Sequence, residues 1–485
     1  MSISAAISNA YSGLTSVSRM AETVSNNISN AMNENYARRE VITEHRVLAG
    51  TGMGVSVNAI DRAMDPLATA SRRAHGAAYG AASTLSNASS RMAALMGKPG
   101  DSGALAARVL AFENSLRSAA DAPASAPARA QVLAEAGNLT GTLKAISSQT
   151  MALRSEADGQ IAAEVRQVNV ALKKIETVNT EIKLRQGSGN TAALEDVRKQ
   201  LIDEVSSIIP IKQIAREGGT IALYSEGGAA LLDGSAHELG FTATPVITPD
   251  MTLSSGALSG LTLNGRPMNI GTGTGQLEGG SLAAAFNVRD VLAPEFNARI
   301  DAVARDLVER FQSPGTDPSL APGEAGVFTD NGAAFTPANE LGLAQRVEIN
   351  AAVDPAQGGD SWRLRDGINA VAQGPAGDDT QLRRMAYAMA AERTPSAATG
   401  LINLVSATEM AEGVTALVAA QAARAEDTTA YNAGQFDLLR ESELAITGVD
   451  TDYEMQQLIM IEQAYAANAR VISTADQLMQ TLLEI

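Results

Sequence analysis

The first 31 residues carry a regular apolar pattern. Apolar side chains recur at alternating spacings of four and three residues, at Ile3, Ile7, Ala10, Leu14, Val17, Ala21, Val24, Ile28 and Ala31. This spacing predicts one helix with a coiled-coil seam. The other positions are largely Ser, Asn and Thr, and only Arg19 and Glu22 are charged. A solvated coiled-coil face is normally rich in Glu and Lys, so this nearly neutral face is typical of a surface that other chains cover.

The end of the chain carries a matching pattern. The same spacing runs through Leu458, Ile461, Tyr465, Asn468, Ile472, Ala475, Met479 and Leu482, and Val471, Leu478 and Ile485 widen the apolar face. We expect this helix to continue to the last residue. Two such helices at opposite ends of one chain predict that the ends pair with each other as a coiled coil.

A second heptad pattern lies further inside the chain. Its seam positions are Ile161, Val165, Val168, Leu172, Ile175 and Ile182, with Asn179 at the missing position. The outer positions are charged, as in a solvated helical bundle, and a lone seam asparagine often fixes the register of such a bundle. We expect its partner to be the stretch 404–417. A further helix is predicted over residues 296–311.

Strand signals cluster in the middle of the chain. Residues 220–224 and 229–232, separated by Glu-Gly-Gly, predict a hairpin. Residues 240–280, rich in Thr, Gly and Pro, predict a small antiparallel unit. Residues 313–337 contain four prolines and several glycines, which favours a surface loop or connector.

The predicted fold is mainly α with an inserted β-rich part, an α+β arrangement. We expect three regions. Residues 1–40 with 445–485 form a terminal coiled-coil assembly domain, 41–205 with 396–444 a second-tier helical rod domain, and 206–395 an outer mixed β/α domain. The chain would go out along a rod of helices and return.

Composition excludes several classes of protein. The net charge of -17 argues against nucleic acid and membrane lipid as partners, because both need a basic face. Cysteine is absent, so disulfides, thiolate nucleophiles and zinc ribbons are excluded. No apolar run approaches the roughly 20 residues of a membrane span. Residues 1–20 lack a basic region followed by a continuous apolar stretch, so we expect export without a cleavable signal peptide.

The residues that most often carry chemistry form no convincing site. His45, His75 and His237 are scattered, which argues against a metal centre. The run Gly-Thr-Gly-Thr-Gly at 271–275 does not complete a phosphate-binding motif, because Gln276 stands where a third glycine is needed. Gly-Asp-Ser at 359–361 resembles part of a hydrolase nucleophile motif, but no complete GxSxG and no plausible histidine partner accompany it. We therefore expect no enzyme, no cofactor and no metal.

Both ends of the chain carry a family resemblance. Ser-Asn-Asn-Ile-Ser-Asn at 25–30 and Tyr-Ala-Arg-Arg at 36–39, with Ser-Gly-Leu at 12–14 upstream, resemble the N-terminal signature of flagellar rod, hook and hook-associated proteins. Gly-Val-Asp at 448–450, Glu-Gln-Ala-Tyr at 462–465, Ala-Asn-Ala at 467–469 and Ile-Ser-Thr-Ala-Asp at 472–476 resemble the C-terminal signature. Asn35 replaces the usual glycine before Tyr36, and asparagine is the next best residue for the left-handed backbone expected there.

The interior resembles one branch of this family, the hook-associated protein 1 group that joins hook to filament. The resembling stretches lie within 54–65, 128–133, 194–204 and 276–290. The resemblance implies a structural ring of identical subunits, with the hook protein and the next hook-associated junction protein as neighbours. It also implies type III export to the extracellular flagellum, and a cytoplasmic chaperone on the C-terminal helix.

The expected assembly interface combines the two seams with the N-terminal signature. Its residues are Ile3, Ile7, Leu14, Val17, Val24, Asn26, Asn27, Ile28, Tyr36, Arg38, Leu458, Ile461, Tyr465, Asn468, Ile472, Met479 and Leu482. We expect Asn26, Asn27, Tyr36 and Arg38 to make contacts between subunits, with local capping or turn formation as the alternative. Residues 1–35 and 450–485 are predicted to fold only on assembly. Ordering about 30 residues costs roughly 45 kcal/mol, which an isolated Ser/Asn-rich helix does not offset.

Three other functions remain open at this level. The flagellar hook protein shares both terminal signatures, although the charged heptads over 161–204 argue against it. A hydrolase using Ser361 and a secreted helical adhesin are more remote. An adhesin needs no apolar heptad pattern at its last residues.

Overall fold

The computed structural model describes residues 3–48, 51–98, 100–185, 191–271 and 275–483. Its helices are α1 (Ile3–Ser29), α2 (Pro66–Met96), α3 (Leu105–Asp121), α4 (Ala126–Arg185), α5 (Ala192–Ile208), α6 (Gly280–Asn287), α7 (Ala293–Gln312), α8 (Leu343–Arg346), α9 (Arg363–Asp366), α10 (Thr380–Ala390), α11 (Ala407–Thr447) and α12 (Thr451–Leu483). A π-helical turn over 288–292 joins α6 to α7. The predicted helix over 296–311 is confirmed as α7.

The strands form small antiparallel sheets. They are β1 (Arg39–Leu48), β2 (Thr51–Arg62), β3 (Ile211–Ala215), β4 (Ile221–Ser225), β5 (Ala230–Asp233), β6 (Ser235–Ala236), β7 (Leu239–Gly240), β8 (Thr262–Leu263), β9 (Arg266–Pro267), β10 (Phe328–Asp330) and β11 (Val347–Ile349). The sheet orders are β1-β2, β3-β4-β5-β6, β7-β8-β9 and β10-β11. The α+β prediction is confirmed, as are the β4–β5 hairpin and the small unit within 240–280.

Capping residues set where two long neighbouring helices begin. At the start of α2, the Asp65 carboxylate accepts hydrogen bonds from the N–H groups of Leu67 and Ala68. At the start of α11, Ser406 and Glu409 form a capping box in which each side chain accepts from the other residue's N–H. The two helices then pack against each other along their length.

The larger apolar core lies between α3, the first half of α4, α7, α10 and the start of α11. At its centre the rings of Phe112, Phe311 and Phe328 meet, with centroids 5.3 to 5.7 Å apart. All three rings are at most 1% exposed. Burying one such side chain contributes about 1.5–3 kcal/mol to stability.

The smaller core lies between the second half of α4, α5, α6 and the sheet strands β3 to β5. The predicted seam over 161–182 is buried there. Asn179 is also buried: its Nδ2 donates to the carbonyl of Ile221 at 3.0 Å, and its Oδ1 accepts from Arg198 at 3.0 Å. The seam asparagine therefore ties α4 to strand β4 and to α5.

Two sequence expectations about packing are wrong. The stretch 404–417 is not the partner of 161–182, because Met410 and Val414 lie in the larger core while the seam packs on α5 in the smaller one. The reason is length: α4 has 60 residues and spans roughly 90 Å, so its two halves meet different elements. Residues 313–337 are also not a surface connector, because Val327 and Phe328 are buried in the larger core.

The three-part domain division remains a prediction. The two cores divide the chain differently. Residues 343–389, assigned to the outer domain, share the larger core with α3 and α4. Helix α5, assigned to the rod, shares the smaller core with the middle strands.

Three names are used below. Residues 66–447 are called the body, β1 and β2 the ribbon, and α1 with α12 the terminal pair.

A cluster of charges joins α2, α5 and α11 at the end of the body nearest the ribbon. Arg72 bonds to both Asp203, at 2.8 Å, and Glu443. Arg73 bonds to Asp203 at 2.6 Å, and Lys199 to Glu443 at 3.2 Å. All five side chains are at least four-fifths buried, so the cluster fixes three helices relative to each other.

Candidate assembly site

The terminal pair is antiparallel and has its own small apolar cluster. Val17 and Val24 of α1 are buried against Ile461 of α12. Around them pack the partly buried side chains of Met20, Ala21, Ile28, Leu458 and Ala464. The predicted pairing of the chain ends is therefore present in the structure.

Two glycines allow close approaches to α1. A Cβ on Gly13 would lie 2.8 Å from Oδ1 of Asn468, so the seam asparagine fits only against a residue without a side chain. A Cβ on Gly54 would lie 2.0 Å from the Ser12 hydroxyl, which accepts a hydrogen bond from the Val55 N–H at 3.2 Å. The ribbon therefore lies tightly on α1, next to its Ser-Gly-Leu motif.

Asn27 is the centre of a buried polar node. Its Oδ1 accepts from the Tyr36 hydroxyl at 2.8 Å and from the Arg39 N–H at 3.0 Å. Its Nδ2 donates to the Arg39 carbonyl at 2.9 Å and to Glu454 Oε1 at 3.0 Å. The amide thereby uses its full hydrogen-bonding capacity inside one chain, and it joins α1, the ribbon and α12.

Glu454 is the acidic member of this node and is 2% exposed. Burial raises the pKa of its carboxyl above the ordinary value, and the repulsion of Glu40 and Asp450 acts in the same direction. The hydrogen bond from Asn27 and the charge of Arg38 oppose that rise.

Further contacts attach the node to the body. Asp196 of α5 accepts from Arg39 at 2.8 Å and from Arg62 at 2.6 Å, so the first and last residues of the ribbon, which pair at its base, reach one carboxylate. The Arg38 N–H donates to the carbonyl of Thr447, the last residue of α11, at 2.8 Å. The terminal pair is therefore held firmly at the end where it meets the body.

The turn before Tyr36 differs from expectation. Asn35 has no left-handed backbone: among described residues other than glycine, positive φ occurs at Asn264 and Asn331. The turn is closed instead by the Tyr36 N–H on the carbonyl of Asn33 at 2.9 Å, and by the Asn35 N–H on the Asn33 side chain at 3.2 Å. A glycine is therefore not required at position 35.

The predicted interface residues fall into three groups. Val17, Val24, Asn27, Tyr36 and Ile461 are buried inside the chain. Ile3, Ile7, Leu14, Ile28, Arg38, Leu458, Asn468 and Ile472 are half-buried, and Asn26, Tyr465, Met479 and Leu482 are exposed. Asn27 and Tyr36 therefore act within the chain in this conformation, whereas Asn26, Tyr465, Met479 and Leu482 remain open to a neighbour.

Helix α12 leaves large apolar side chains uncovered around much of its circumference, including the seam positions Tyr465 and Leu482. Met455, Ile459, Met460, Tyr465, Leu478 and Leu482 are each 50% to 62% exposed. Large apolar side chains in such number along one helix mark an interaction surface, since scattered single ones are the norm on soluble proteins. We call this surface the open face of α12.

Sequence reasoning missed Glu454, Arg39 and the ribbon. The ribbon was detectable, because residues 39–48 and 51–62 are rich in β-branched residues on either side of a short Gly-containing break. Glu454 carried no local signal, because a carboxylate in the first turn of a helix is ordinary.

The other candidate residues show no assembled chemistry. Residues 272–274 of the glycine-rich run lie outside the described residues. No histidine is hydrogen-bonded to Ser361 in the part of the chain that the structure describes, and in the same part no group of His, Cys, Asp and Glu has a metal-binding arrangement. Among the described helices, none is both long and apolar enough to cross a membrane.

Comparisons with known proteins agree with these features. The family model of the helical domain of flagellar hook-associated protein FlgK matches residues 89–318, and that of the C-terminal part of flagellar basal body rod FlgEFG proteins matches residues 441–485. Together they match more than half of the chain.

Curated relatives extend the likeness over the whole chain. Flagellar hook-associated protein 1 of Bacillus subtilis is 22% identical over 95% of this chain and 94% of its own length. The protein of the same name from Escherichia coli is 24% identical over 100% of both chains. That of Salmonella typhimurium is 28% identical over 61% of this chain and 56% of its own.

Among solved structures, the flagellar hook junction protein FlgK from Burkholderia pseudomallei has a TM-score of 0.44 and 19% identity, over 54% of this chain and 46% of that one. The family models and the relatives aligned along the full length show that this chain resembles flagellar hook-associated protein 1.

Proposed function

We propose that the chain is a non-enzymatic structural subunit of the hook–filament junction, and that it assembles into a ring through its terminal pair. The open face of α12 carries this proposal. It is apolar and uncovered in the single chain, although a free chain would gain by burying it. A neighbouring copy that covers this face, together with the polar side of α1, would complete a core that one chain leaves half-built.

The same proposal includes the proteins next to the ring and the export route of the chain. Members of this family assemble with other flagellar axial proteins. We propose the hook protein on one side of the ring and the next junction protein on the other. The chain would leave the cell unfolded through the type III channel, with a cytoplasmic chaperone covering the open face of α12 until export.

A labelling experiment tests the junction role. Purified, labelled protein is mixed with isolated hooks that lack filaments and is viewed by electron microscopy. Label at one end of each hook supports the junction role. The alternative is that the chain is a hook protein or another axial subunit, which the match of residues 441–485 to rod proteins favours. Label along tubes of the protein itself would support that alternative, and label absent from every assembly would contradict both.

Substitutions in the seam test the role of the terminal pair. Leu14→Asp or Ile472→Asp puts a charge into the half-buried seam, so we expect each to abolish incorporation into the junction while the body stays folded. Thr15→Asp and Ser473→Asp add the same charge at exposed neighbouring positions and are the matched controls. Normal filament growth with either seam variant would contradict the model.

A hydrolase using Ser361 predicts a different result. If the chain is a hydrolase, Ser361→Ala should remove its function. If it is a structural subunit, the same substitution should leave motility unchanged. Ser361 lies just before the short helix α9, where its carbonyl accepts from the Leu364 N–H at 3.3 Å, an ordinary helix-start contact.

A further inference from the structure

An open cavity of about 630 Å³ lies where α7 and the loop after it meet α10. This volume is typical of sites for small ligands. Four arginines line it, Arg310, Arg383, Arg384 and Arg393, although the chain has a net charge of -17. Residues 383–393 lie outside both segments that match the family models. All residues that line the cavity belong to the body, so it is separate from the terminal pair.

Two of these arginines form a fixed wall. Arg310 is 2% exposed, and its guanidinium donates to the carbonyls of Ala388 and Ala391 at 2.6 Å each, beyond its ion pair with Asp306. Arg393 is paired with Glu309 at 3.2 Å. These bonds anchor the end of α10 to α7, so the cavity has a rigid frame.

The other two arginines face the solvent from α10. The Arg383 side chain is 61% exposed, bonds to Asp379 at 2.7 Å and lies 4.0 Å from Asp121. Arg384 has no hydrogen bond or ion pair with any described residue. One helical turn further on, the ring of Tyr387 is 76% exposed. The two carboxylates that line the cavity, Glu309 and Asp379, are already paired, so Arg384 faces the cavity without a hydrogen-bonded acceptor among the described residues.

We propose that this cavity binds a small organic anion with two or more carboxylate or phosphate groups. Guanidinium groups present several N–H donors in one plane, which match the oxygens of both anions in paired hydrogen bonds. The exposed ring of Tyr387 offers an apolar surface for the carbon skeleton of the same ligand. The site would give this part of the body a binding role that is independent of assembly.

Titration calorimetry on the full chain at low salt tests this site. Citrate is the carboxylate probe and pyrophosphate the phosphate probe, so the two arms separate the possible ligand classes. We expect saturable one-to-one binding of at least one probe, which weakens as sodium chloride is raised because the charges are then screened.

Substitutions locate the binding. Arg384→Gln removes a side chain that forms no hydrogen bond or ion pair within the described chain, so we expect an unchanged fold and about tenfold weaker binding, since charge-assisted hydrogen bonds are lost. The double variant with Arg383→Gln should weaken binding further. Arg424→Gln, an exposed arginine on α11 with the same charge change, is the control and should bind normally. No saturable binding of either probe, or equal weakening by the control, would overturn the proposal.

Discussion

The body and the terminal pair bury their apolar side chains to different degrees. In the larger core, Phe112, Leu116, Leu139 and Leu143 are all 0% exposed, and dozens of side chains interlock around them. In the terminal pair only three apolar side chains form a buried cluster, while the open face of α12 has no cover. We therefore expect the body to fold alone, whereas the terminal pair needs a neighbour to complete its core.

The terminal pair is itself uneven along its length. At the end near the body, Asn27, Tyr36, Arg39 and Glu454 are joined by hydrogen bonds that are buried within one chain. Toward the other end of the pair, contacts are fewer and Leu478 and Leu482 are exposed. The end of the terminal pair near the body is therefore stabilised within one chain, whereas the other end depends on neighbouring subunits.

Amide hydrogen exchange on the free chain should show this contrast most strongly. We expect amides in α3 and in residues 132–157 to open only with the whole body, at a cost of about 5–15 kcal/mol for a stable domain. Residues 3–16 and 464–483 should exchange at close to the intrinsic rate, and residues 24–36 and 451–461 should lie between. Strong protection of residues 3–16 in the monomer would show that the pair does not need neighbours.

Truncation of one core ring should be the next largest effect. Phe112→Ala leaves a void between Phe311 and Phe328, so we expect it to lower the free energy of unfolding by about 3–5 kcal/mol. The only tryptophan, Trp362, lies in the body, so its fluorescence during urea unfolding reports on the body alone. Val17→Ala in the terminal pair is the comparison and should leave that transition unchanged. A similar loss from both variants would mean that the two regions unfold as one unit.

Removing the central amide of the node should have a smaller, local effect. Asn27→Ala leaves the Tyr36 hydroxyl and the Glu454 carboxylate without a buried partner, at a cost of about 1–3 kcal/mol. We expect faster exchange of residues 24–36 and 451–461 and an unchanged body. Asn26→Ala, at the exposed neighbouring position, should change neither. An equal effect of both variants would show that the node adds nothing beyond helix propensity.

Regular periodicity made the ends predictable, whereas contacts between distant residues escaped prediction. The seams of α1, α12 and the second half of α4 all follow from heptad spacing, because that spacing places apolar side chains on one helix face. The partner predicted for the second half of α4 was wrong, because periodicity identifies the apolar face of a helix but not the element that packs on it. Asn27 was chosen for its motif, but its burial depends on Arg39 and Glu454, which only the folded chain brings together.

Acid should change the stability of two regions in opposite directions, the charge cluster around Asp203 and Glu443 and the node around Glu454. This is the smallest of the expected effects. Burial alone would raise the pKa of Asp203 and of Glu443, but Arg72 and Lys199 near both, with Arg73 beside Asp203, hold each pKa below its ordinary value. Stability from these two groups is therefore present above the ordinary pKa and is lost as the pH falls through the lowered one. Burial leaves the pKa of Glu454 raised, so its contribution is fully present below the ordinary value of 4.5 and is lost as the pH rises through the raised one.

Amide protection factors, corrected for the pH dependence of the intrinsic exchange rate, can distinguish the two opposite pH responses. As the pH falls from 7 toward the ordinary value of 4.5, we expect residues 451–461 to gain protection, while the amides around Asp203 stay unchanged because the lowered pKa keeps its carboxyl ionised. Glu454→Gln should remove the gain, since the neutral amide keeps an oxygen for Asn27 without a titrating charge. Glu462→Gln, exposed on the same helix, is the control and should retain the gain. A gain that persists in Glu454→Gln would contradict the assignment of the pH response to Glu454.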